Sequence, residues 1–182
     1  NDLRGGEGHM EVGKLIMRQA ADTVKKLTLE LGGKSPNIVF ADADIESAVR
    51  GATTGIFYGK GEVCAAGSRV LVERSIHEAF VAKLVERAKK LSPADPLDPK
   101  TRLGSLVSAR QMATVLDYVK IGVGEGAKLV AGGERQPVNG KGAFVQATVL
   151  DGVENSMRVA QEEIFGPVLV VIPFDGVDDA VA

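Results

Sequence analysis

Three short segments of the sequence combine reactive side chains with the glycines and prolines that form tight turns. The first, residues 29–36 (LELGGKSP), places the carboxylate of Glu30 in an apolar, strand-like alternation that ends at two glycines. Burial would make this carboxylate a stronger base, which suits general-base catalysis. A solvated glutamate on the polar face of an edge strand explains the same pattern equally well.

The second segment, residues 57–64 (FYGKGEVC), leads through a glycine turn to the single cysteine of the chain, Cys64. A strand is predicted soon after it, so the sulfur and the backbone N–H of Cys64 could face one pocket. A nucleophile whose own amide stabilises the oxyanion is a recurring arrangement. A buried structural cysteine behind a glycine bend is the alternative, and spacing alone does not separate the two.

The third segment, residues 161–167 (QEEIFGP), contains adjacent carboxylates and Phe165 ahead of a Gly-Pro break and an apolar strand. Ligands of open α/β sheets bind in loops at the ends of strands. The pattern therefore predicts a ligand contact at this loop. The alternative is an acidic helix end on the surface.

Alternating strands and helices surround these segments. Apolar residues at helical spacing predict a helix over about 11–26. Strands are predicted at 27–31, 37–40, 70–73, 128–131, 144–150 and 168–172. The alternation, and the continuously apolar last strand, predict an α/β fold: a largely parallel open sheet with flanking helices.

Four helix starts are predicted from capping residues. Asp42 or Asp44 precedes one helix, and residues 75–78 and 108–111 have capping-box spacing. Ser156 is expected to cap a short helix that ends near Glu163.

The composition excludes several classes of protein. The 182 residues are 45% hydrophobic and 25% charged, enough for the core of one domain, or of one domain and part of a second. The net charge of -2, without a long block of either sign, offers no footprint for nucleic acid or an anionic membrane. No apolar run approaches the roughly 18 residues of a membrane helix, and no signal peptide is recognisable, so we expect a cytoplasmic protein. One cysteine and two histidines exclude an internal disulfide and argue against a metal site.

Taken together, the three segments resemble the aldehyde dehydrogenase superfamily. Glu30 with the following LGGKSP resembles the glutamate signature of that family. Residues 61–64 (GEVC) resemble its cysteine signature, and residues 163–167 (EIFGP) resemble its nicotinamide-side motif. The interval of 34 residues between Glu30 and Cys64 also fits, and the resemblance covers roughly residues 10–182.

This resemblance implies an NAD(P)-dependent oxidation of an aldehyde to a carboxylic acid. Cys64 would attack the aldehyde carbon as a thiolate to give a thiohemiacetal, and hydride transfer to the nicotinamide would leave a thioester. Glu30 would then activate water for hydrolysis. Glu163 would hold the nicotinamide ribose, Phe165 would pack near the ring, and the backbone around Leu31 would face it.

Two residues depart from the family pattern around the cysteine. Where the family commonly has Asn and Gln, this chain has Gly59 and Glu62. Glu62 places a negative charge two residues from the nucleophile. If that charge is unpaired, it would disfavour the thiolate.

The resemblance also predicts a division of the chain. Residues 1–9 resemble a leader, 10–27 the tail of the cofactor-binding domain and 28–182 an incomplete catalytic domain, so that both ends look cut. Most of the dinucleotide-binding fold, and the segment through which the parent enzyme would form a homo-oligomer, would then be missing. We therefore expect little or no dehydrogenase turnover from the chain alone.

Two other functions are alternatives to this one. A cysteine hydrolase needs a histidine beside Cys64, but His9 falls in the leader and His77 in the first turn of an exposed-looking helix. A non-catalytic structural or binding fragment is the stronger alternative. In that case Cys64 should be buried and inert.

Overall fold

A computed structural model describes the backbone of residues 5–181 and the side chains of residues 10–181. Within these residues the helices are α1 (Gly5–Ala21), α2 (Ile45–Phe57), α3 (His77–Lys89), α4 (Ala109–Gly124), α5 (Arg158–Gln161) and α6 (Gly176–Val181). The strands are β1 (Pro36–Val39), β2 (Arg69–Glu73), β3 (Lys128–Ala131), β4 (Thr148–Asp151) and β5 (Val168–Phe174). Short 3-10 turns span Tyr58–Gly61 and Arg74–Ile76.

The five strands form one sheet in the order β1-β2-β5-β4-β3. The pairs β1–β2, β2–β5 and β4–β5 are parallel, and β3 runs antiparallel to β4. The predicted α/β fold with a largely parallel open sheet is therefore confirmed.

Helices cover both faces of the sheet, because the central strand β5 is apolar on both sides. Leu169 and Val171 belong to the core that α2 and α3 complete, whereas Val168 and Val170 belong to the core that α4 and α5 complete. Each of these four residues has no exposed surface. A strand buried on both faces needs a continuous apolar run rather than an alternating one.

Two of the predicted helix caps are confirmed. The Asp44 carboxylate accepts a hydrogen bond from the Ser47 N–H at 2.8 Å, and the Ser108 hydroxyl accepts one from the Gln111 N–H at 3.1 Å. The other two predictions are wrong. A 3-10 turn leads into α3, where Ile76 occupies the cap position, and Met157 precedes α5; neither makes a side-chain capping bond.

Three predicted elements differ from the structure. The alternating residues 27–31 do not form a strand: residues 25–35 have no regular structure, and Leu27 is exposed. Alternation predicts a strand only where a neighbouring strand is available to pair with it. The strand predicted at 144–150 is confined to β4 at its C-terminal end, and α1 begins and ends earlier than the predicted 11–26.

The first helix lies apart from the sheet. α1 contacts the irregular segment at Gly13, where an added Cβ would lie 2.9 Å from Leu31 Cδ2. Its apolar residues Met10, Leu15 and Met17 are 45–55% exposed. The predicted leader includes residues 1–4, which lie outside the described residues, while α1 already begins at Gly5. The domain boundary predicted after residue 27 falls in the irregular segment and stays a prediction.

None of the helices within residues 5–181 combines the length and the apolar character needed to span a bilayer.

Candidate active site

The three chemically suggestive segments lead into three neighbouring strands. Residues 29–36 precede and enter β1, residues 57–64 precede β2, and residues 161–167 precede β5. Because β1, β2 and β5 are adjacent and parallel, the segments meet at one edge of the sheet, where the strands begin. Ligands of open α/β sheets usually bind at the opposite edge, where the strands end. The edge on which the segments meet therefore differs from the one that this rule predicts.

Backbone contact joins the first segment to the second. A Cβ on Gly33 would lie 2.7 Å from the carbonyl oxygen of Cys64, closer than real Cβ atoms approach. Glycine at this position lets the Glu30 segment touch the backbone of the cysteine.

A second glycine joins the cysteine segment to the third segment. Gly61 has φ +70°, and a Cβ placed on it would lie 2.1 Å from the carbonyl oxygen of Gly166. Both its conformation and its surroundings therefore require glycine. Backbone contact at Gly33 thus links the first segment to the second, and backbone contact at Gly61 links the second to the third.

The loop around Phe165 is held by a residue that the sequence interpretation assigned a different role. The Gln111 side chain was expected to complete a capping box with Ser108. Instead its Nε2 donates to the carbonyl oxygens of Ile164, at 3.0 Å, and Phe165, at 2.8 Å. Phe165 has φ +56°, a left-handed conformation that costs a non-glycine residue about 1–2 kcal/mol. The two hydrogen bonds help to offset that cost.

The predicted nucleophile and base both lie at the surface. Cys64 is a free, exposed thiol just after the 3-10 turn. Glu30 is exposed in the irregular segment, so the burial expected of its carboxylate is not provided by the described residues. The neighbouring Leu31 is half-buried, with its side chain against Gly13 of α1.

The two adjacent carboxylates of the third segment have different surroundings. Glu162 accepts hydrogen bonds from Arg158, at 2.7 and 2.8 Å, and from the Tyr118 hydroxyl, at 2.6 Å. Burial and this bond to Glu162 raise the pKa of Tyr118 to about 12. Glu162 therefore stabilises the packing of α4 against α5, whereas Glu163 lines a small cavity together with Phe165.

A buried lysine lies in the same cavity. Lys34, within the first segment, faces Glu163, and its Nζ is buried without a hydrogen-bond partner among the described residues. Burial, with repulsion from Arg69, lowers the pKa of Lys34 from 10.5 to about 8, and Glu163 partly opposes this shift. The sequence interpretation passed over Lys34, although a lysine inside an apolar turn is the signal that could have identified it.

His77 lies at the other edge of the sheet. It follows β2, and its Nε2 is 2.8 Å from Asp151 Oδ1 at the end of β4. Cys64 precedes β2, so the length of this strand, roughly 13 Å, separates Cys64 from His77. The side chain of His9 lies outside the described residues.

Within residues 10–181, no three His, Cys, Asp or Glu side chains gather where they could hold a metal ion.

Comparison with known proteins places this geometry in a family. The model of the aldehyde dehydrogenase family matches residues 7–182. The chain belongs to this family. The resemblance drawn from the three motifs is therefore confirmed.

Relatives within the family are close in sequence and in structure. Betaine aldehyde dehydrogenase from Mesorhizobium japonicum is 48% identical over 176 residues, covering 96% of this chain and 36% of that protein. The crystal structure of the aldehyde dehydrogenase KauB from Pseudomonas aeruginosa is 50% identical with a TM-score of 0.91, covering 94% of this chain and 35% of that one. An NAD+ complex of aldehyde dehydrogenase from Bacillus cereus is 48% identical with a TM-score of 0.89, covering 93% and 34%. The chain thus spans about a third of the length of these dehydrogenases.

The contact at Gly61 can be tested against a glycine that has room for a side chain. Gly61→Ala should destabilise the chain by about 2–5 kcal/mol, because the alanine would be strained at positive φ and would collide with Gly166. Gly51→Ala, in α2 with no atom within 4 Å of the added Cβ, should stabilise it by about 0.5–1 kcal/mol. Urea unfolding measures both, and equal stabilities would contradict the proposed contact.

The Gln111 clamp can be tested with a nearly isosteric change. Gln111→Glu removes the donor and sets a carboxylate against two carbonyl oxygens, so we expect a loss of about 2–3 kcal/mol at pH 7. Gln19→Glu, at an exposed position of α1, should change stability by no more than about 0.5 kcal/mol. Thermal unfolding compares them, and a harmless Gln111→Glu would show that the clamp is unimportant.

The buried Lys34 predicts a pH-dependent stability. Folding lowers its pKa from 10.5 to about 8, so the unfolded chain binds this proton more tightly. The penalty of burying the charge is therefore complete below pH 8 and is relieved as the pH rises from 8 towards 10.5. Lys34→Met should exceed the parent in stability at pH 7 by on the order of 3 kcal/mol, and by much less at pH 10.

Urea unfolding at both pH values measures this difference. Lys128→Met, at an exposed position of β3, serves as the control and should differ from the parent equally at the two pH values. A constant difference for Lys34→Met would contradict the lowered pKa.

Proposed function

We propose that this chain supplies the nucleophile, Cys64, and the general base, Glu30, of an NAD(P)-dependent aldehyde dehydrogenase. The supporting observation is the pair of glycine contacts that joins the Glu30, Cys64 and Glu163 segments at one edge of the sheet. Family membership and the exposed thiol support the same proposal. Because the chain spans about a third of its relatives, we assign the complete reaction to the whole enzyme.

The residues of this chain act in two stages. The Cys64 thiolate attacks the aldehyde carbon, and the new bond places negative charge on the former carbonyl oxygen, where the backbone N–H of Cys64 is a suitable donor. After oxidation, the substrate is held as a thioester. Glu30 takes a proton from water, the resulting hydroxide attacks the thioester carbon, and the carboxylic acid leaves as Cys64 is released.

The residues beside the nucleophile fit a nicotinamide cofactor. A carboxylate such as Glu163 can accept hydrogen bonds from ribose hydroxyls, and Phe165 offers an aromatic ring at the same cavity. Gly33 and Gly166 keep this region free of side-chain bulk, and the backbone at Leu31 lies in the adjoining segment. The bound nicotinamide would supply the hydride acceptor. NAD+ complexes of solved relatives support this choice of cofactor.

The isolated chain should show little or no turnover. We propose that residues 10–27 belong to the cofactor-binding domain and residues 28–182 to the catalytic domain. The exposed apolar residues Val12, Leu15 and Ile16, which lie on one side of α1, support a contact with further protein. Orientation and binding of the cofactor would then depend on residues outside this chain.

The alternatives have less support. A structural cysteine would be buried, but Cys64 is exposed. A cysteine hydrolase needs a nearby imidazole, and the imidazole of His77 is engaged with Asp151 beyond the far end of β2.

The reactivity of Cys64 tests the proposal. The rate of alkylation by iodoacetamide should be greater for the folded chain than for the chain in urea between about pH 6 and 8, because a catalytic nucleophile is activated by its site. Mass spectrometry locates the label, and Cys64→Ala is the blank.

A folded rate no greater than the unfolded rate would contradict a nucleophile role and favour a structural fragment. Turnover is checked separately from the NADH absorbance in the presence of aldehyde and NAD+. A steady aldehyde-dependent rise would overturn the expectation that the isolated chain is inactive.

A further inference from the structure

The carboxylate that departs from the family pattern is buried and fully engaged. The Glu62 side chain is only 7% exposed. One oxygen, Oε1, accepts a hydrogen bond from the Val107 N–H at 3.0 Å, and the other, Oε2, lies 3.1 Å from Lys60 Nζ. The negative charge two residues before Cys64 is therefore paired.

Lys60 provides this pairing from an unfavourable backbone conformation. It has φ +63° and lies between Gly59 and Gly61, which are also left-handed. A non-glycine residue in this region costs about 1–2 kcal/mol. Glycine would avoid that cost, so the lysine side chain must offset it through its contacts. The observed contact is the ion pair with Glu62, and the Lys60 stem passes beside Gly104, where an added Cβ would lie 3.8 Å from its Cδ.

The ion pair joins two loops beside the nucleophile. Val107, whose N–H is bound by Glu62, directly precedes Ser108, the N-cap of α4. From the first turn of α4, Gln111 holds the Phe165 loop. The segment before Cys64 is therefore tied to the helix that also supports the third motif.

We propose that Lys60 is a positioning residue for Cys64, which neutralises Glu62 and through it ties the nucleophile loop to the start of α4. This inference rests on the proposed role of Cys64 as nucleophile. It explains how the chain accommodates glutamate where the family commonly has glutamine. A neutral glutamine needs no cation, whereas a buried carboxylate without one leaves a negative charge beside a thiolate that must form.

Other charges near the loop are unchanged by substitutions in this pair. Lys34 and Glu163 line the cavity that also includes Gly61 and Val63. They contribute equally to every variant, so differences among the variants report on Lys60 and Glu62.

Four variants separate charge from loop conformation. Lys60→Gly removes the cation and also the strain, because glycine accepts the left-handed conformation. Lys60→Arg keeps the charge. Glu62→Gln removes the negative charge but keeps an oxygen for the Val107 N–H. The double variant Lys60→Gly/Glu62→Gln removes both charges.

The measurement is the rate at which iodoacetamide, a neutral reagent, alkylates Cys64 in the folded chain at pH 7.5. Lys60→Gly should slow the reaction about threefold, because an uncompensated negative charge two residues from the sulfur disfavours the reactive thiolate. Lys60→Arg and the double variant should react within about a factor of 1.5 of the parent. Higher ionic strength should reduce the effect of Lys60→Gly. Thermal unfolding confirms that each variant is folded.

Two results would overturn the inference, and they are distinguishable from failure of the proposed function. If Lys60→Gly reacts as fast as the parent, or if the double variant reacts as slowly as Lys60→Gly, the pair does not act on Cys64. A parent thiol that reacts faster folded than unfolded would still support Cys64 as nucleophile. If the parent thiol shows no such enhancement, the nucleophile role fails and this inference fails with it.

Discussion

Backbone-to-backbone contact at two glycines is the constraint on which the candidate site depends. Gly33 allows the first segment to touch Cys64, and Gly61 allows the cysteine segment to touch Gly166. No side chain fits at either point, so the loops approach more closely than hydrogen-bonding side chains would allow. The parallel order β1-β2-β5 places the three loops side by side, and the glycines then determine their spacing.

The charged side chains around this contact differ in their partners and in their burial. Glu162 is bound by Arg158 and Tyr118, away from the cavity that Glu163 lines. Lys34 is buried opposite Glu163 at the expense of stability, as its lowered pKa indicates. A side chain that destabilises the fold is more readily explained by a role at the site than by packing.

Elements defined by local rules could be predicted from the sequence, and those defined by distant partners could not. The continuous apolar run of β5 and the caps at Asp44 and Ser108 follow from residues close together in the chain, and they are confirmed. The alternation at 27–31 lacks a pairing strand, and the side chain of Gln111 binds carbonyls more than 50 residues away. The motifs identified the segments of the site, whereas the exposure of Glu30 and the pairing of Glu62 required the fold.

The position of β5 also determines when the fold can form during synthesis. β5 lies between β2 and β4 in the sheet, yet it is the last strand along residues 5–181. As the chain leaves the ribosome, β2 therefore precedes its central neighbour β5 by about 95 residues. Closing so long a loop carries an entropic cost that local structure does not repay. Until β5 emerges, the apolar faces of α2 and α3 remain exposed, so the nascent chain is most vulnerable to aggregation just before it can fold.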